Sequence, residues 1–339
     1  MNTHATKLGV AVIGLGIGQE HAQAYMETGS CDLRWVYDID QDKSRNFALL
    51  LGGAKSAENY DQILADSSVD IISIASYDHL HYDQAIQALQ AGKHIFVEKP
   101  LCRTEDELYT LHNAWINNSE YLYIASNLVL RTAPLYRWLK QQIKQDEFGE
   151  IYAFDGDYLY GRLEKITEGW RNNVPDYSAM LGGGIHMVDL MLWLTDQRPD
   201  TVLALGNRIA TQNTFFSYQD FVIANMRFPS SLIGRISVNL GSVHPHQHVL
   251  RIFGTKASFI YDDLGPRVYK NRNPEVLPER LQLAPLPENR GGLIREFVEA
   301  ILEGRNMTED IQKMFDVISV CVASDKSSAT QTEKGVIYL

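Results

Sequence analysis

The chain has 339 residues, 45% hydrophobic and 22% charged, a globular composition with room for two domains and a sizeable core in each. A formal net charge of −11 argues against nucleic acid or an anionic membrane surface as the main partner. The three cysteines, Cys31, Cys102 and Cys321, lie far apart without metal-type spacing, which fits a reducing cytoplasm and no disulfide framework. Residues 1–7 lack the n-region and apolar h-region of a secretory leader, and no apolar run approaches the ~20 residues that span a bilayer.

Residues 8–13 read as a buried strand that runs directly into Gly14-Leu15-Gly16-Ile17-Gly18, and residues 19–28 then carry helical spacing. Strand, glycine turn and helix N-terminus together make a phosphate cradle, because glycines admit the pyrophosphate to the backbone and the first helical amides point at it. The spacing departs from G-x-G-x-x-G: the last glycine would be residue 19, which is Gln19, and the glycine sits one place early at Gly18. A second strand over 33–37 ends at Asp38, followed by Ile39, where a carboxylate would accept hydrogen bonds from the adenosine ribose. That carboxylate would repel a 2′-phosphate, and the next arginine is Arg45, so the predicted cofactor is NAD rather than NADP. Asp38 also stands where a cap for a helix over 41–51 would.

Residues 69–75 form the next predicted strand, followed by the loop Ser76-Tyr77-Asp78-His79-Leu80-His81 and a helix that Gly92 stops. The strand over 94–97 delivers Glu98-Lys99-Pro100. In isolation this is a charged strand end with a turn proline, yet a lysine there is costly unless paired or used, and Pro100 restricts Lys99 to extended geometry. Thr104 and Glu107 form a capping box, and residues 121–126 give another strand before Asn127. Strand and helix alternate, so the first half is a parallel, doubly wound sheet whose ligands bind at the carboxyl ends of the strands. The residues expected on the cofactor are Gly14, Leu15, Gly16, Ile17, Gly18, Asp38, Ile39, Ser76, Tyr77, His81, Glu98, Lys99 and Asn127.

After Asn127 a helix over 134–144 precedes predicted strands at 151–160, 202–210, 221–228, 233–240 and 249–253, a mostly antiparallel sheet. Gly182-Gly183-Gly184 leads into an apolar helix with His186 and Asp189 one turn apart near its start. A lone histidine there would read as core; the glycines instead let backbone or ligand come close. Later helices cover 293–302 and 311–323. A wide sheet with one helical face leaves its other face to be buried, which predicts a homo-oligomer, dimer or tetramer. His244-Pro245-His246-Gln247-His248 would place alternating histidines on one strand face. Without cysteines or carboxylates at ligand spacing, it reads as a loop lining the substrate pocket or subunit interface, and no metal is expected.

Together these motifs resemble the Gfo/Idh/MocA family of NAD(P)-dependent oxidoreductases. The resemblance rests on Gly14–Gly18 with His21, Asp38, Ala75–His81, Ala91-Gly92-Lys93-His94 running into Glu98-Lys99-Pro100-Leu101, Gly182–His186 and Phe253–Ala257. It implies an α/β chain: a Rossmann domain over 1–126 and, over 127–339, an α+β domain with a large, mostly antiparallel sheet that serves substrate binding and oligomerisation. It also implies that Lys99 and His186 face the nicotinamide, Lys99 taking the proton of a secondary alcohol and His186 sharing or relaying it. Tyr158, Arg162, Trp170, Arg171 and Asp189 are expected on the substrate side; the two arginines suit a diphosphate and the indole a stacked ring. Many members carry an aspartate where this chain has Gly182, so Asp176, Tyr177 or Tyr158 would have to compensate. That departure points to a nucleotide sugar, such as UDP-N-acetylglucosamine oxidised at C3. The alternatives are a free sugar or polyol dehydrogenase and a non-catalytic NAD(H)-binding regulatory protein.

Overall fold

The computed structural model of the chain describes residues 7–118 and 122–339. The leader expectation for residues 1–6 and the strand start at Tyr121 therefore lie outside the described residues. Two compact units divide the chain, Met1–Val129 with Glu288–Met314, and Leu130–Pro287 with Phe315–Leu339.

In the first unit, short apolar runs form β1 (Leu8–Ile13), β2 (Cys31–Tyr37), β3 (Lys55–Ser56), β4 (Ile71–Ile74), β5 (His94–Val97) and β6 (Ile124–Ser126). They pair in the order β3-β2-β1-β4-β5-β6, every described pairing parallel. Runs such as Ile71–Ile74 are buried throughout, as a parallel sheet covered on both faces requires. The strand order reverses between β1 and β4, which sets the ligand crevice at their carboxyl ends. The ladder continues one residue past the strands: Gly14 N–H donates to Tyr37 O (2.7 Å), Ala75 N–H to Ile13 O (2.7 Å) and Asn127 N–H to Val97 O (2.9 Å). Those polar ends are thereby fixed in place.

The helix Gly292–Glu303 adds Ile294, Phe297 and Val298 to the core built by Val10, Val12, Tyr25 and Phe96. It can come so near because Gly291 has no Cβ; one there would collide with that of Ala24. Residues 288–314 thus belong with the nucleotide-side unit, although the sequence reading assigned all of 127–339 to the second domain.

The second unit holds β7 (Ile151–Leu159), β8 (Thr201–Asn207), β9 (Phe221–Arg227), β10 (Ile233–Asn239), β11 (Gln247–Gly254), β12 (Ser258–Asp262), β13 (Gly265–Tyr269), β14 (Glu279–Arg280) and β15 (Lys334–Gly335). Their order is β14-β13-β12-β11-β7-β10-β9-β8-β15, antiparallel except for β7 with β10. The sequence reading missed β12 to β15, of which β14 and β15 have two residues each, and β8 stops at Asn207 rather than 210.

Register sorts the side chains of this sheet. Val202, Met226, Gly234, Phe154 and Ile252 align across five strands on one face, and Val238, Tyr158 and His248 align beside them. The helix Ile185–Thr195 packs on that face. A Cβ on Gly156 would lie 2.9 Å from Met187 Cε, and one on Gly234 would lie 2.5 Å from Met191 Sδ. Both strand glycines therefore set how deeply the helix seats. Among the described residues no helix is long and apolar enough to cross a membrane.

Candidate active site

The dinucleotide turn and its neighbours lie at the carboxyl ends of β1, β2, β4, β5 and β6. Gly14 has φ +83°, and a Cβ there would lie 2.5 Å from Ala75 O, so only glycine lets the turn pass the end of β4. Gly16 has open space where a side chain would be, the gap through which a pyrophosphate can reach the backbone. Gly18 packs the helix Gly18–Glu27 onto the sheet, since a Cβ would lie 2.9 Å from Val12 Cγ1. The glycine that seemed misplaced in sequence performs the helix-packing task from one residue earlier. Gln19 instead donates its side-chain amide back to Leu15 O (2.9 Å).

Asp38 closes this turn from below. Its Oδ2 accepts from Leu15 N–H (2.7 Å) and Lys43 Nζ (3.1 Å), and its Oδ1 accepts from Asp40 N–H (3.0 Å). Burial would raise its carboxyl, but these amides and the Lys43 ammonium outweigh burial and hold it below the usual carboxylate range. The helix cap is Asp40, not Asp38. Lys43 was not singled out in the sequence, although its five-residue offset on the following helix was the available signal. Leu15 is a core side chain, so only its backbone belongs to the turn, while Ile39 is exposed.

The loop after β4 places Ser76 with its hydroxyl on Gln84 Oε1 (2.6 Å) and Tyr77 stacked on His79. His81, expected on the cofactor, acts as a strut within the protein. Its ring is buried, Nδ1 is 2.7 Å from Pro100 O and Nε2 is 3.1 Å from Ser76 O, and a neutral ring donates to one of them at a time. It ties the β4 loop to the cis Lys99–Pro100 turn.

Beneath Lys99 lies a buried polar network. Glu98 Oε1 is 3.1 Å from His21 Nε2 and accepts from Asn127 Nδ2 (2.7 Å), and His21 Nδ1 is 3.0 Å from Ser73 Oγ. Burial pushes the Glu98 carboxyl up, but the His21 bond and charge, the Asn127 amide and the Lys99 charge overcome it and pull it down to about 2. Glu98 and Asn127, expected on the cofactor, thus spend these atoms inside the protein. Asn127 Oδ1 is buried without a partner among the described residues, a polar atom left for a ligand at the strand end. The left-handed Gly14, the open Gly16 and this orphaned oxygen fit a dinucleotide.

The second unit holds a separate cluster of the residues singled out in the sequence. A π-helical turn, Met180–Gly184, feeds the helix Ile185–Thr195 and presents His186 half-buried at its start. Such turns recur at functional sites, and periodicity could not reveal this one. Tyr158 stacks on the His186 ring (6.3 Å, 26°) and on Tyr160 (6.0 Å, 17°), with His246 and His248 edge-on at 5.3 Å each. Burial, then Tyr160, raises the Tyr158 phenol above its usual range against the opposing charges of Arg171 and Arg162. Burial, then His246 and Arg162, lowers His248 to about 3, so it stays neutral.

Arg162 lies over the Tyr160 ring (5.7 Å) and Arg171 over the Trp170 ring (4.3 Å). Asp189, expected on the substrate side, is buried, and Arg131 donates Nε and Nη2 to its carboxylate at 3.0 and 2.6 Å. The histidine cluster divides, with His246 and His248 rings 4.9 Å apart while His244 turns to Asp263 (3.1 Å). Among the described residues no three His, Cys, Asp or Glu side chains gather as metal ligands would.

Two family models match this chain. "Oxidoreductase family, NAD-binding Rossmann fold" covers residues 8–125, and "GFO/IDH/MocA C-terminal domain" covers residues 136–260. The chain is 28% identical over 277 residues to glucose-6-phosphate 3-dehydrogenase of Bacillus subtilis (strain 168), spanning 78% of this chain and 76% of the relative. It is 24% identical to levoglucosan dehydrogenase of Pseudarthrobacter phenanthrenivorans, spanning 75% and 73%. Its fold matches a solved levoglucosan dehydrogenase complex with NADH at a TM-score of 0.86 and 21% identity, over 98% of this chain and all of that one. With both domains matched and the dinucleotide turn intact, the chain belongs to the Gfo/Idh/MocA family of NAD-binding oxidoreductases.

Proposed function

We propose that the chain oxidises a secondary alcohol of a sugar to a ketone, with Lys99 taking the hydroxyl proton and His186 sharing or relaying it. NAD, when bound, supplies the hydride acceptor. The observation that carries the reading is the lysine at the carboxyl end of a buried parallel strand, beside a carboxylate kept ionised by His21 and Asn127. A base in that position serves the proton while the glycine turn holds the dinucleotide. Tyr158 and the neutral His248 pack the His186 ring and limit its orientations.

The finer reading is a nucleotide sugar, UDP-N-acetylglucosamine oxidised at C3 to the 3-keto sugar. Two arginines stacked on aromatic rings near Tyr158 support a substrate with a diphosphate. The names of the relatives favour a second reading, a sugar phosphate or a free sugar or polyol. Following NAD reduction by absorbance across UDP-N-acetylglucosamine, glucose 6-phosphate, levoglucosan and myo-inositol separates the two. Activity confined to the last three overturns the nucleotide-sugar reading, and failure of all four with tight NADH binding overturns the dehydrogenase reading.

We also assign the sheet face opposite the helix Ile185–Thr195 to a homo-oligomer, because Leu203, Leu205 and Ile233 remain 42%, 52% and 50% exposed on it. The three cysteines are free and buried, which supports a reducing cytoplasm as the compartment.

A further inference from the structure

The π-helical turn before His186 has an unusual filling. Residue 182 is glycine, and the space its side chain would occupy is taken by the Tyr177 hydroxyl; a Cβ there would also lie 2.7 Å from Tyr177 Cζ. Residue 183 is glycine against the Tyr158 ring, 2.5 Å from Cε1 to the same hypothetical atom. Gly182 has no left-handed φ, so its backbone does not demand glycine. The room for the phenol does.

Gly182 stands one turn before His186. Positions four apart on a helix share a face, with Cβ atoms about 5–6 Å apart, and helical side chains lean towards the N-terminus. That spacing puts His186 on the same face as the side-chain position of residue 182, where the Tyr177 hydroxyl stands. Tyr177 is itself firmly held. It is buried, with Phe216 edge-on at 5.6 Å, and on either side Asp176 N–H donates to Tyr218 Oη (2.8 Å) and Ser178 Oγ accepts from Leu181 N–H (2.9 Å). Of the three candidates for the missing aspartate, Asp176 is exposed and Tyr158 meets the turn through its ring. Tyr177 alone brings a polar atom to the side-chain position of residue 182.

We propose that Tyr177 is a positioning residue for His186: its hydroxyl substitutes for a polar side chain at 182 and sets the polar surroundings of the imidazole, and Gly182 is glycine to admit it. The significance for catalysis rests on the role of His186 proposed above, but the contact can be tested without turnover. Histidine-labelled full-length protein is titrated by NMR, with His186 identified by its absence in His186→Gln. Tyr177→Phe removes only the hydroxyl and is expected to move the His186 midpoint by about half a unit or more. Gly182→Ala, which pushes the phenol away, should move it too, whereas Tyr218→Phe should not. An unchanged His186 titration in folded Tyr177→Phe overturns the proposal, whatever Gly182→Ala does to folding. If Lys99→Ala keeps full turnover while Tyr177→Phe shifts His186, the catalytic reading fails and the positioning contact stands.

Discussion

At the end of β5, one oxygen of Glu98 serves both His21, on the helix Gly18–Glu27, and Asn127, at the neighbouring end of β6, residues far away in sequence. Its carboxyl lies at about 2 in the folded chain against an ordinary 4.5, so the folded state prefers the ionised form. The stability this confers is fully present above about pH 4.5 and is lost as the pH falls towards 2, an effect on the order of 3 kcal/mol. Glu98→Gln should lower stability at neutral pH and flatten the urea-unfolding profile across that window. Parallel profiles for the two proteins would count against the network. The sequence marked Glu98, Lys99 and Asn127 as strand-end polar residues, which is a local property. It could not tell which atoms turn inward, because that depends on His21 and Ser73 meeting them across three strands. The Arg131 partner of Asp189 was hidden for the same reason, since it is 58 residues away.

Elements were legible where their signal was local. The glycine turn, the capping box at Thr104 and the apolar strands follow from residue order alone. The π-helical turn did not, because three glycines carry no period, and two-residue strands such as Lys334–Gly335 take their identity from a partner. Gly156 and Gly234 read as weak points in strands until the helix above them is seen. Gly234→Val should force Met191 and its helix off the sheet, at a cost of about 1–3 kcal/mol in denaturant unfolding. A variant as stable as the parent would mean that the helix seat is loose.

For the molecule as a whole, the open sheet face carries a charged centre within an apolar surround. Leu203, Asn225, Arg235, Asp155 and Arg251 form one row across five strands, and Arg235 and Arg251 both bridge Asp155 and Asp157. Such a network is neutral when complete and strongly anionic when one arginine is reversed. Arg235→Glu should therefore reduce the mass in light scattering to that of one 38.4 kDa chain. A parent protein that is already monomeric would remove the oligomer from the account.

The central claim is that this chain moves a proton with Lys99 while NAD takes the hydride of a sugar alcohol. The most direct measurement is turnover of Lys99→Ala beside NADH binding followed by fluorescence, on the substrate the panel identifies. The account predicts a fall in kcat of about a hundredfold or more while the variant still binds NADH. Turnover equal to the parent's would contradict it.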